Sequence, residues 1–179
     1  MSLKLLDVAT GECRRTLDGH EDWVRCCAYS ADGATVLSSS EDNTLKLWSD
    51  ATGACIRTLI GHSNWVLACC FSPIDGNTIL SSSGDTTLKL WDATTGLCRR
   101  TLTGHSGWVN GCLFSPTHGN LMLSCSDDND LKLWNTTTGA CTATLEGHES
   151  EVNCCTFSRD GATIASGDGS GKLKLWRRS

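Results

Sequence analysis

The chain has 179 residues, 39% of them hydrophobic, and a formal net charge of −5. This composition fits a folded domain with a core and excludes a disordered or fibrous protein. The sequence has no stretch of about 18 apolar residues and no apolar leader, so we expect neither a membrane span nor a signal peptide. The negative charge also disfavours general binding to nucleic acids or anionic membranes, which requires a basic surface.

The chain opens with a segment that resembles later parts of the same sequence. Residues 3–7 match residues 88–92, and residues 13–17 match residues 98–102. Residues 1–18 are therefore predicted to form the third and fourth strands of a preceding or closing structural unit.

Four repeats follow this opening segment. Each begins with a Gly-His pair and carries a Leu-Lys-Leu-Trp string towards its end, and both markers recur at steps of 42 or 43 residues. Self-similarity at a fixed period is typical of repeat architectures. The predicted repeats are residues 19–60, 61–103, 104–146 and 147–179.

Each repeat has the pattern of a small β-sheet. In the second repeat, short apolar segments at residues 65–71, 78–83, 87–91 and 97–102 alternate with turns. Strands of this length between Gly-, Pro- and Asp-containing turns predict an all-β fold, and no segment has the 3.6-residue apolar period of a helix. One such sheet cannot cover both of its own faces, so successive sheets are expected to pack face to face around an axis.

Three features of the repeats match a known family. These are the Gly-His pair, the Trp-Asp pair at Trp91 and Asp92, and an Asp six residues before three of the four repeated Trp residues. On these features the chain resembles WD40 repeat proteins from end to end. The resemblance implies WD40-type β-propeller blades, with four four-stranded antiparallel blades. They would form a small ring closed by residues 12–17, a half-propeller completed by a homodimer, or part of a larger propeller.

The resemblance also implies a hydrogen-bonded tetrad of Trp, Ser, His and Asp in each blade. The structural tetrads assigned in this way are His20, Ser38, Asp42 and Trp48; His62, Ser81, Asp85 and Trp91; His105, Ser124, Asp128 and Trp134; and His148, Ser166 and Trp176. In the fourth repeat the position aligned with the Asp is Ser170, and Asp168 lies two residues earlier. The sequence leaves open whether Asp168 supplies the fourth group.

These polar residues are interpreted as structural. Ser, His and Asp together also occur in hydrolases, but here the trio recurs in every repeat beside a Trp, and the sequence has no Gly-x-Ser-x-Gly motif. The acidic run at residues 127–130 lacks the spacing of a calcium loop. We therefore predict no catalytic residues, no cofactor and no metal site.

The twelve cysteines recur with the repeats and include no Cys-x-x-Cys pair of the kind that zinc sites commonly use. They are interpreted as small, buried apolar residues. Many free thiols are typical of a reducing compartment, so we expect the chain in the cytoplasm or nucleus.

In the WD40 family, positions just after each Gly-His pair and their neighbours line one flat face around the axis, and partner peptides commonly bind there. The resemblance assigns to this face Trp23, Arg25, Glu41, Trp65, Leu67, Trp108, Asn110, Asp127 and Glu151. Trp and Arg dominate the energetics of many protein interfaces. The competing interpretation is that each Trp only packs against the loops of the next blade.

The expected function is therefore that of a non-catalytic scaffold or recognition module that binds other proteins or peptides. Two narrower roles compatible with it are a regulatory or substrate-recruiting subunit of a larger enzyme complex and the WD40 sensor tail of a signalling NTPase. The second role rests on likeness of fold alone.

Overall fold

The computed structural model describes residues 1–177, which form 17 strands and no helix. The last two residues of the fourth predicted repeat lie outside the described residues. The strands are β1 Ser2–Leu6, β2 Cys13–Asp18, β3 Val24–Tyr29, β4 Thr35–Ser40, β5 Thr44–Ser49, β6 Cys55–Ile60, β7 Val66–Phe71, β8 Thr78–Ser83, β9 Leu88–Asp92, β10 Cys98–Leu102, β11 Val109–Phe114, β12 Leu121–Ser126, β13 Leu131–Asn135, β14 Cys141–Leu145, β15 Val152–Phe157, β16 Thr163–Asp168 and β17 Leu173–Arg177.

The strands form antiparallel sheets whose strand order follows the chain. Blades one, two and three are the four-stranded sheets β3–β6, β7–β10 and β11–β14, and blade four is the three-stranded sheet β15–β17. A separate two-stranded sheet contains β1 and β2. The predicted all-β fold with propeller-type blades is confirmed, with three rather than four strands in blade four of the described chain.

The hydrophobic core lies between blades. Leu45 and Leu47 of blade one share one buried cluster with Val66 and Ile79 of blade two. The same arrangement recurs at the next two interfaces. Because each sheet covers its neighbour, strands such as β5 and β9 carry apolar side chains towards both faces, which explains the repeated Leu-Lys-Leu-Trp string.

The opening sheet of β1 and β2 packs against blade one in the same way. Leu17 is fully buried in a cluster with Val36 and Trp48, and Leu3 and Leu5 pack against that cluster. Strand β2 is hydrogen-bonded to β1, and no strand of the described chain is paired with the free edge of β17. Residues 12–17 therefore do not close a ring with blade four in this structure.

A repeated arginine ties each sheet to the next. Arg57 of β6 donates hydrogen bonds to the carbonyls of Thr95 (3.0 Å) and Thr94 (2.7 Å) in the loop between β9 and β10. Gly96 ends this loop with φ +77°, and a Cβ there would lie 2.4 Å from the Arg57 side chain. Glycine is therefore required by both the backbone angle and the close approach. Arg15 and Arg100 make equivalent contacts with the neighbouring loops.

The interpretation of the cysteines as buried residues is wrong for half of them. All twelve are free thiols, and the six exposed ones are Cys13, Cys27, Cys55, Cys98, Cys141 and Cys154. Four of these begin the outermost strands, where each thiol is near the carbonyl two residues ahead, as Cys13 is to Arg15 at 3.3 Å. The outermost strand has no neighbouring sheet strand beyond it, so its side chains remain accessible.

Within residues 1–177 the structure contains no helix that could cross a lipid bilayer.

Candidate functional site

Four tetrads fasten the loops at one edge of the array to the sheets. In blade two, the Trp91 indole N–H donates to Ser81 Oγ (2.9 Å), Ser81 Oγ lies 2.8 Å from His62 Nε2, and His62 Nδ1 lies 2.7 Å from Asp85 Oδ2. All residues assigned to the other tetrads are brought together with the same pattern, at distances between 2.7 and 2.9 Å.

The hydrogen-bonding groups of the tetrad match the donor and acceptor of one imidazole tautomer. Ser81 Oγ accepts the indole proton and can donate its own to His62 Nε2, while His62 Nδ1–H donates to Asp85. A neutral histidine has one donor and one acceptor, so this chain satisfies every group. In blade one, burial lowers the pKa of His20, although Asp42 opposes the shift. Burial would raise the pKa of Asp42, but hydrogen bonds from Thr44, the Glu21 N–H and His20 lower it to about 2.

Blade four completes its tetrad with Asp168, the residue that sequence alignment leaves unassigned. Asp168 ends β16, at the position that Ser40 occupies in blade one. Its Oδ2 lies 2.7 Å from His148 Nδ1, and its Oδ1 accepts hydrogen bonds from the N–H groups of Ser170 and Lys172. The carboxylate therefore reaches the same histidine from a position two residues earlier in the chain.

The loops that carry the histidines and the turns that carry the acids form what we call the loop face. It contains residues 19–23, 61–65, 104–108 and 147–151 together with turns 41–43, 84–86, 127–129 and 169–171. Because a tetrad links each loop to a turn of its own blade, these segments lie at the same edge of the array. The opposite edge carries the loops between third and fourth strands.

Three tryptophans are exposed on the loop face. The exposed fraction is 59% for Trp23, 36% for Trp65 and 40% for Trp108. Trp65 and Trp108 belong to adjacent blades and pack edge to face, with ring centroids 5.4 Å apart. The structure therefore brings Trp65 and Trp108 together, while Trp23 has no aromatic neighbour within the described residues.

A β-bulge directs the residues two positions after these tryptophans. The pairing register of the first strand shifts between Val24 and Cys26, and equivalently in the other blades, which leaves Arg25, Leu67 and Asn110 outside the regular ladder. Bulges of this kind turn a side chain away from its regular direction. The Asn110 side chain uses that position to bridge blades, since its Nδ2 donates to Asp127 Oδ1 (2.6 Å) and to the Val152 carbonyl of blade four (3.1 Å).

Comparison with known proteins identifies the family of these repeats. The family model described as WD domain, G-beta repeat matches residues 11–49, 53–92, 96–135 and 139–177. The chain belongs to the WD40 repeat family. Proteins of this family provide scaffolds for protein interaction and are generally non-catalytic.

Among curated proteins, similarity was found to the nuclear distribution protein PAC1 of Arthroderma otae, which is 54% identical over 43 residues. Proteins of the same name from Arthroderma benhamiae and Trichophyton verrucosum are each 51% identical over 43 residues. The matched stretch covers 24% of this chain and 9% of each relative. Its length is that of one repeat period, so the likeness is between single WD40 repeats.

The charged side chains of the loop face differ in whether they form ion pairs. Arg25 and Glu41 form an ion pair at 3.3 Å. Asp127 and Glu151 are exposed carboxylates that form no salt bridge in the described part of the chain. Asp127 accepts a hydrogen bond from the Asn110 side chain, and Glu151 accepts one from the Ser150 hydroxyl. The loop face therefore carries carboxylates without ion pairs in blades three and four, and Asp127 lies next to Trp108, whose carbonyl accepts a hydrogen bond from the Asp127 N–H (2.9 Å).

The WD40 tetrads have no geometry for nucleophilic catalysis. Ser38, Ser81 and Ser124 are fully buried, and each hydroxyl oxygen already accepts a hydrogen bond from a tryptophan. An attacking hydroxyl needs access to a substrate carbonyl, which this position does not offer. Among residues 1–177, no group of three or more His, Cys, Asp or Glu side chains is arranged to hold a metal ion.

Proposed function

We propose that the loop face binds an extended segment of a partner protein, with Trp65 and Trp108 as the apolar anchor. The observation that carries the proposal is their edge-to-face contact at 5.4 Å combined with exposed fractions of 36% and 40%. Each ring is held in place by the other and still presents a large surface. An aromatic side chain fixed in this way loses little conformational entropy when a partner covers it.

The charge beside this anchor favours a partner segment that carries a basic side chain. Asp127 and Glu151 lie on the loop face towards blades three and four, and the only arginine assigned to the face, Arg25, is paired with Glu41. A Lys or Arg of the partner would contact the face of an indole and a carboxylate at once. Cation–π contacts contribute roughly 0.5–1 kcal/mol at exposed sites.

Trp23 of blade one and Leu67 of blade two add further apolar side chains to the loop face. Trp23 is the most exposed of the three tryptophans, and Leu67 is half-buried at its bulge. The interpretation that the tryptophans only pack the blades together accounts for the Trp65–Trp108 contact. It does not account for Trp23, whose ring is 59% exposed and has no aromatic contact among residues 1–177.

The test is selection of short random peptides on the wild-type protein, followed by calorimetric titration of the selected peptides. We expect Lys- or Arg-containing peptides, with affinity at least tenfold lower in a variant with Trp23, Trp65 and Trp108 changed to Ala. The matched control is Leu97→Ala, because Leu97 is 68% exposed at the opposite edge. Equal binding to the triple variant, or loss of its cooperative melting by circular dichroism, would refute the proposed role of the tryptophans.

A regulatory subunit and a signalling sensor would both use this binding step. Identification of the natural protein captured through the loop face separates these two roles.

A further inference from the structure

The innermost strands carry pairs of cysteines that face each other across blade interfaces. Cys26 of β3 lies with its Sγ 3.6 Å from the carbonyl oxygen of Cys69 in β7, and Cys70 of β7 lies 3.8 Å from the carbonyl oxygen of Cys112 in β11. Strands β3 and β7 run beside each other, as do β7 and β11. At the first interface Cys69 is part of the buried cluster, and Cys26 packs against that cluster.

The two thiols of the first pair differ in accessibility and in chemical state. Cys26 is half-buried, whereas Cys69 is only 4% exposed. The proximity of the Cys69 thiol lowers the pKa of Cys26 to about 6, and the proximity of the Cys26 thiol raises the pKa of Cys69 well above its usual range. Cys26 is thus the accessible nucleophile of the pair, since the thiolate is the reactive form of cysteine.

The neighbouring cysteines provide an internal comparison. Cys27 is more exposed than Cys26. As the next residue of the strand it lies on the opposite face from Cys26, which packs against the cluster shared with blade two, and burial raises the pKa of Cys27. A reaction governed by exposure alone would therefore occur at Cys27, and one governed by the pairing would occur at Cys26.

We propose that Cys26 and Cys69 form a reversible disulfide between blades one and two when the protein meets a peroxide. The Cys26 thiolate attacks one peroxide oxygen, the O–O bond breaks, and after protonation a Cys26 sulfenic acid and one molecule of water result. The Cys69 sulfur then attacks the sulfenic sulfur and forms the S–S bond. The hydroxyl group leaves with the Cys69 proton as a second molecule of water. The two thiols are oxidised by two electrons in total, and the peroxide is reduced.

This disulfide adds a covalent cross-link between the packed faces of blades one and two, which are joined in sequence by residues 61–65. Cross-linking residues far apart in sequence restricts the unfolded chain. The melting temperature of the oxidised protein is therefore expected to rise by roughly 5 °C or more, and a dithiol reductant is expected to reverse the rise.

The direct test treats the protein with hydrogen peroxide, blocks the remaining thiols by alkylation and digests the product with trypsin. The expected species joins the peptides of residues 26–46 and 58–89, which are bounded by Arg or Lys cleavage sites. It is lost in Cys26→Ala, a change that introduces the residue found at the equivalent position of blade two, Ala68. It is retained in Cys27→Ser, the matched control.

A second measurement does not depend on the cross-link. In Cys69→Ser the sulfenic acid at Cys26 has no resolving thiol, so dimedone is expected to label Cys26. Labelling of Cys27 instead, persistence of the linked peptides in Cys26→Ala, or absence of both link and label after peroxide treatment would each overturn the proposal.

Discussion

Blades two and four contain the same tetrad but differ in the burial of the leucines on the third strand. In blade two, Leu88 and Leu90 of the third strand are 0% and 4% exposed, whereas the equivalent Leu173 and Leu175 of blade four are 72% and 64% exposed. The His–Asp distance is nevertheless 2.7 Å in both blades. The polar network is thus a property of one repeat, and the apolar core is a property of two adjacent repeats.

This difference separates two kinds of stabilisation. Repeat proteins combine the intrinsic stability of each repeat with that of the interfaces between neighbours. The tetrad belongs to the first contribution and the buried leucines belong to the second. The effect of a substitution on the free energy of unfolding is therefore expected to depend on which contribution it changes, and equivalent positions of blades two and four allow this comparison.

The largest effect is expected for the leucines of the third strand. Leu88→Ala leaves a cavity in a fully buried site and should lower the free energy of unfolding by about 4 kcal/mol. Leu173→Ala, at an exposed site, should change it by less than about 0.5 kcal/mol. Urea unfolding of both variants measures the difference. A similar loss in both would mean that another part of the molecule covers Leu173 in solution.

Two adjacent serines of blade two provide a sharper comparison within one strand. Ser81→Ala removes the hydrogen-bond partner of both the Trp91 N–H and His62. Because two buried groups are then left without hydrogen bonds, the free energy of unfolding should fall by about 3 kcal/mol. The Ser82 hydroxyl is equally buried and has no hydrogen-bond partner in the described part of the chain. Ser82→Ala is therefore expected to leave the free energy of unfolding unchanged or slightly raised. If Ser82→Ala proved as destabilising as Ser81→Ala, the tetrad would not be the source of the loss.

The displaced acid of blade four allows a rescue experiment. Asp168→Ser removes the carboxylate from His148 and should lower the melting temperature, by less than Ser81→Ala does because Trp176 is already partly exposed. Adding Ser170→Asp places an acid at the position used by the other blades and should restore part of the loss. Failure of the second change to restore stability would show that the glycines on either side of Ser170 require the acid at position 168.

The smallest effect concerns the turn after each tetrad acid. Thr86 has φ +68°, a left-handed conformation that is strained for a β-branched residue, whereas the equivalent positions in blades one and three are Asn43 and Asn129. Thr86→Asn is expected to raise the free energy of unfolding by up to about 1 kcal/mol. Thermal melting detects such a change, and no stabilisation would mean that the Thr86 side chain makes a compensating contact.

The strands and three tetrads were predictable because they depend on spacing within one repeat. The Gly-His and Leu-Lys-Leu-Trp markers define the period, and the bounds of strands β7 to β10 differ from the predicted segments by at most one residue. The role of Asp168 was not predictable by alignment. It depends on the reach of a side chain at the end of β16 rather than on its position in the repeat.

Features that depend on contacts between repeats could not be predicted from the sequence either. The contact of Trp65 with Trp108 requires knowledge of how adjacent blades are rotated, which the spacing of the two residues does not contain. The exposure of Cys13 and its equivalents follows from their place on the outermost strand. The recurrence of these cysteines suggested a common environment correctly, but it did not indicate whether that environment was buried.

Each tetrad draws all four of its side chains from a single repeat, as His20, Ser38, Asp42 and Trp48 do in blade one. A repeat copied within a gene therefore carries its complete tetrad with it, and the polar network of the duplicate needs no compensating mutation elsewhere. The positions after the Gly-His pair are free of that network, so they can diverge at once. An array of this kind can lengthen first and acquire new partners afterwards.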